Sequence, residues 1–154
     1  MALTTYTAGE VLTALSLNDN FTYAAALANS STAFTGGQQT TASTSYVGLT
    51  TATAVTITTG TSALVVATAT IANGDNNAQG RFSYAVSGAT TVAASNDYAG
   101  QFITGGAGGL SGSTCTVFYV HTGLTAGSNT FTMQYKVSGG TLYAIDRRIT
   151  VFPL

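Results

Sequence analysis

The chain has 154 residues, room for one domain of common size with about 40 to spare. Only 6 % of them are charged, against about 25 % in ordinary globular domains, and the net charge is −1. This excludes electrostatic capture of nucleic acid or of an anionic membrane, both of which need clustered Lys and Arg.

Thr, Ser, Asn and Gly take the surface role instead, which suits a protein that lives packed into an assembly. Disorder is excluded as well, because eight Tyr, seven Phe and many Val and Ile supply a core. The single cysteine, Cys115, rules out an internal disulfide and implies no oxidising compartment. The N-terminus lacks the basic and continuous apolar stretches of a signal peptide, and no run of 18 apolar residues could cross a membrane. Synthesis and folding in a cytoplasm are expected.

In chain order, TYTAGEVLTAL reads as extended or turn-like, with Gly9 as a break and Val11, Leu12 and Leu15 as apolar contacts. From Ser16 to Ala28 the pattern becomes helical: Leu17, Phe21, Ala24 and Ala28 are spaced 4, 3 and 4 apart and form one stripe. Ser16 can cap this helix, and Asp19 suits its dipole. A helix of about 13 residues is marginal alone in water and needs a surface to lie on. Residues 1–31 are therefore expected to be an extended arm with a short helix, and 32–45 a polar linker.

From Tyr46 the period changes to two. Eight strands are predicted: SYVGLT, AVTITTG, ALVVATATIA, RFSYAVSG, AGQFITG, CTVFYVHTG, NTFTMQYKVSG and TLYAIDRRITVF. Phe82, Tyr84 and Val86 share one face, as do Phe131, Met133, Tyr135 and Val137. Turn clusters such as NGDNNAQG and GGAGGLSGS separate the strands. The fold class read from this is all-β: an antiparallel β-sandwich or jelly roll over 46–154, preceded by the arm and short helix.

Reactive constellations are hard to find. Cys115 and His121 share a face of one strand but lie six residues apart, roughly 20 Å at about 3.3 Å per residue, so structural roles are expected for both. Asp146, Arg147 and Arg148 form the one charge cluster, with the two arginines expected on opposite faces and one of them paired with Asp75, Asp97 or another chain. Asp75 in NGDNN reads as a turn, since a calcium loop wants several carboxylates. GGAGG at Gly105 to Gly109 lacks the Lys and Ser/Thr of a phosphate cradle. No catalytic residue, metal site or cofactor is expected, and the chain reads as a non-enzyme.

The opening TYTAGEVLTALSLNDNF resembles the N-terminal segment of tailed-bacteriophage virion proteins. Their Thr-Ala-Gly-x-Val-Leu-Thr-Ala-x-x-Leu-Asn-x-x-Phe pattern is matched by Thr7, Ala8, Gly9, Val11, Leu12, Thr13, Ala14, Leu17, Asn18 and Phe21. The tail NTFTMQYKVSGGTLYAIDRRITVFPL is similar to the closing hairpin of jelly-roll modules in phage fibres and capsid decorations. The resemblance implies a virion structural protein, commonly a homotrimer. The expected function is that of a capsid decoration (cement) protein on the outside of the virion, with the major capsid protein and itself as partners. Tyr6, Val11, Leu12, Leu15, Leu17, Phe21 and Leu27 would dock on the shell, each contributing about 1.5 to 3 kcal/mol before ordering costs. The alternative is a short tail or head fibre whose head binds a host-surface glycan, with Tyr84, Tyr98, Tyr119 and Tyr143 as stacking faces. A small hydrolase is the third and remotest reading.

Overall fold

A computed structural model describes residues 29–154 apart from 76 and 104–110, together with Leu17, Asn18 and Phe21. Its strands are β1 (Ser31–Thr35), β2 (Gln39–Thr41), β3 (Ala54–Thr59), β4 (Ser62–Asn73), β5 (Gln79–Gly88), β6 (Gly100–Ile103), β7 (Ser111–Thr122), β8 (Gly127–Val137) and β9 (Leu142–Pro153). One sheet runs β1-β9-β4-β7, with β2 also on β9, and the other runs β3-β8-β5-β6. Every pairing is antiparallel. From β3 onward the chain crosses repeatedly between the sheets, closing a jelly-roll sandwich over a single core. Leu17, Asn18 and Phe21 are helical, within the segment where a short helix is expected.

Alternation decides which residues meet. Phe82, Tyr84 and Val86 on β5 and Phe131, Met133, Tyr135 and Val137 on β8 are buried, as their period of two requires. They share one cluster with Val65, Ala67, Ala69 and Ile71 of β4 and with Leu142, Ala144, Ile149 and Val151 of β9. Rings dominate one sheet, while small and branched side chains dominate the other; close packing favours such complementary volumes. Gly100 is part of this fit, because a Cβ there would run into the ring of Phe82.

Two expectations change. The segment 32–45 is not a free linker: its threonines and Ala33 form β1 and β2, which take successive halves of the β9 edge. β-Branched residues favour strands, and an edge strand with one neighbour tolerates the polar composition. Since β1 begins at Ser31, the sandwich starts inside the segment assigned to the arm. Conversely, SYVGLT forms no strand. Ser43, Val47 and Thr53 instead meet Val137, Tyr135 and Met133 along the β8 edge at intervals, which satisfies that edge without a regular ladder.

Threonine pairs do on the surface what ion pairs do elsewhere. Thr32–Thr150, Thr68–Thr116 and Thr70–Thr114 join hydroxyls across strands at 2.9, 2.9 and 2.6 Å. Such cross-strand pairs contribute roughly 0.2–1 kcal/mol each.

Candidate functional site

Of the expected docking residues, Leu17 and Phe21 are described, and both face solvent, with Phe21 64 % exposed. Tyr6, Val11, Leu12, Leu15 and Leu27 lie outside the described residues. Neither Leu17 nor Phe21 belongs to the sandwich core, which is closed without them.

A second apolar surface covers the outer face of the β1-β9-β4-β7 sheet. On β7, Cys115, Val117, Tyr119 and His121 turn inward, which drives Phe118 and Val120 outward at 70 % and 50 % exposure. Register sets Phe118 beside Val66, and Val120 beside Leu64, which in turn neighbours Phe152. At the far edge Phe34 is exposed, with the Arg148 guanidinium 5.2 Å from its ring centre. The central part of this face is therefore hydrocarbon and threonine, an arrangement that marks a contact surface more often than open solvent. The sequence held a signal for it: in CTVFYVHT both alternating sets are apolar, so both faces of the strand need cover.

The polar candidates have structural places. Cys115 is half-buried, its thiol 3.5 Å from the Gln101 carbonyl, and burial pushes its pKa up. His121 is buried among Tyr84, Tyr98 and Tyr119, at ring distances of 5.9, 5.6 and 5.8 Å. Its Nδ1 lies 3.2 Å from the Tyr84 hydroxyl. Burial also raises the phenols of Tyr84 and Tyr98. Of the four tyrosines considered for stacking, Tyr84 and Tyr98 are thus unavailable, whereas Tyr119 and Tyr143 are partly exposed.

Burial lowers the His121 pKa below its ordinary 6.5. An unfolded chain would bind a proton there before the folded one does. Stability contributed by the neutral ring is therefore intact above about pH 6.5 and declines as pH falls below it. Melting curves at about pH 7.5 and 5.5 should show a drop in wild type that is smaller in His121→Gln, whose amide does not titrate.

Arg147 and Arg148 do point to opposite faces, as neighbours in a strand must, and a β-bulge decides which of them turns inward. Thr68 pairs with Arg148 and Thr70 with Ile145, so Asp146 and Arg147 together oppose Ala69. Asp146 takes the extra place at φ 48°. Inward positions shift from Leu142 and Ala144 to Arg147, Ile149 and Val151, which puts a guanidinium in the interior. Arg147 Nη1 donates to Gln39 Oε1 at 3.0 Å and to the Thr51 carbonyl at 3.3 Å. These neutral acceptors stand where Asp75 or Asp97 was expected. Asp75 sits in the β4–β5 turn, where its N–H bonds Asn73 Oδ1 and its carbonyl accepts from Ala78. GGAGG lies outside the described residues. Among the described residues, no group of three or more His, Cys, Asp or Glu could hold a metal. Nor is any described helix long and apolar enough to cross a membrane.

No protein-family model matches the sequence, and no curated protein matches it significantly. Solved structures do share the architecture. An Eiger TNF from S. frugiperda aligns at a TM-score of 0.51 and 9 % identity, over 81 % of this chain and 91 % of that one. A protein of infectious bursal disease virus, Gx strain, aligns at 0.49 and 9 % identity, over 80 % of this chain and 32 % of that one. The first of these likenesses supports the jelly-roll fold and nothing about activity.

Proposed function

We propose that this protein is a bacteriophage capsid decoration (cement) protein. Its N-terminal arm binds the outer shell, the sandwich projects from it, and the role is structural rather than catalytic. The observation that carries this reading is the exposure of Leu17 and Phe21 beside a core that is complete without them. Apolar side chains on a helical segment gain by finding cover, and the sandwich core does not provide it. The phage-like motif in which both residues fall adds support from the sequence.

The head assembles as a homotrimer through the outer face of β7, β4 and β9. In a symmetric oligomer equivalent patches meet near the axis, where like charges would repel. The part of this face around Phe118, Val120, Leu64 and Val66 is built of hydrocarbon and threonine and carries no charge, and Arg148 on β9 stands beside it next to Thr68. Three arms on one trimer then bind the shell with far greater avidity than one. Purified protein added to undecorated capsids should bind and raise their melting temperature. Saturating protein that leaves the capsids bare would overturn the reading. Inhibition of phage adsorption by the isolated protein would favour the fibre alternative instead.

A further inference from the structure

We propose that the β3-β8-β5-β6 sheet carries, on its outer face, a binding site for a sugar bearing a carboxylate group. The chain has four cationic side chains, and two of them stand side by side there: Arg81 on β5 and Lys136 on β8 are directly paired in register. Like charges placed opposite each other across an antiparallel pair destabilise it. Their recorded partners are neutral. Arg81 Nη2 donates to Gln79 Oε1 at 3.2 Å, and Lys136 Nζ lies 4.5 Å from the centre of the Tyr46 ring. Among the described residues, no carboxylate forms an ion pair with either.

A cavity of about 230 Å³ opens over this pair, lined by Thr44, Gln79, Arg81, Lys136, Val137 and Ser138. Its volume is below the roughly 300–1,000 Å³ that holds a drug-sized ligand and suits about one sugar ring. The chemistry of the walls selects the class. A planar guanidinium beside an ammonium receives a carboxylate with charge-assisted hydrogen bonds. The hydroxyls of Thr44 and Ser138 and the amide of Gln79 can exchange hydrogen bonds with ring hydroxyls. Ser138 Oγ is held in place by accepting from the Gln79 N–H at 2.8 Å. The Tyr46 ring is not part of the lining but sits against the Lys136 ammonium, its hydroxyl anchored 3.0 Å from Asn96 Oδ1. Two cations are too few for a nucleic-acid track, which neutralises many phosphates. In a chain that has nearly dispensed with charge, a like-charge pair whose partners among the described residues are a neutral amide and an aromatic ring is explained by a bound anion.

This site is independent of the arm and of its docking on a shell. The test uses the full chain, labelled with ¹⁵N and titrated with glucuronate, N-acetylneuraminate, glucose and inorganic phosphate. Either acidic sugar should shift the amides of Gln79, Arg81, Lys136 and Ser138, and glucose should not. Arg81→Gln and Lys136→Gln should each weaken the response about tenfold or more, while melting no lower than wild type because the repulsion is relieved. The proposal is overturned by an absence of shifts with both acidic sugars, by equal shifts with glucose, or by phosphate matching the sugars at equal concentration. It is also overturned if both variants bind as wild type does.

Discussion

Arg147→Ala and Arg147→Met should differ in stability by about 2–4 kcal/mol, with methionine the more stable. Arg147 heads the fully buried side chains ranked by volume, and Nε and Nη2 have no hydrogen-bond partner among the described atoms. A guanidinium so placed has lost its hydration and regained two bonds to neutral oxygens. Alanine removes those bonds and leaves a cavity, a loss that typically costs 2–5 kcal/mol for a large side chain. Methionine fills most of the space and removes the charge, and exchanges of that kind are often neutral or stabilising by about 1–4 kcal/mol. For a chain of this length each kcal/mol moves the melting temperature by roughly 2–4 °C, so thermal melts resolve the pair. Should methionine be as damaging as alanine, the guanidinium is compensated by more than these two bonds, and the Tyr135 hydroxyl, which interacts with Arg147, is the candidate partner.

Placing aspartate at both Phe118 and Val120 should turn the proposed trimer into monomers. Both side chains are at least half exposed in the single chain, at 70 % and 50 %, so the fold loses little. In an assembled face the same positions would hold carboxylates away from water, at a cost of several kcal/mol each before any shift in their protonation. Sedimentation should then report a mass near 15.5 kDa in place of three times that value. An unchanged mass would remove the β7 face from the interface, and a monomeric wild type would remove the trimer.

Much of the sandwich was legible in the sequence because alternation is a local signal. The inward sets on β5 and β8 can be read from RFSYAV and FTMQYKV without knowing their partners. β1 and β2 were not legible, since STAFT and QTT are polar enough to pass for a tether; only the free edge of β9 makes strands of them. The bulge at Asp146 was half legible: two adjacent arginines must part, but which turns inward depends on one extra residue opposite Ala69. The Arg81–Lys136 pair was invisible, because 55 residues of chain separate its members and register alone joins them. Leu17 and Phe21 are the part of the arm for which sequence and structure can be compared. There a helical stripe expected to seek cover is exposed.

The most direct test of the arm is a binding measurement with undecorated capsids. Wild type is compared with a chain carrying Leu12→Asp, Leu17→Asp and Phe21→Asp, and with one lacking residues 1–28, which leaves every β1–β9 pairing in place. The account predicts that both altered proteins melt as the wild-type sandwich does and no longer sediment with capsids. Capsid binding at wild-type strength by either one would contradict it.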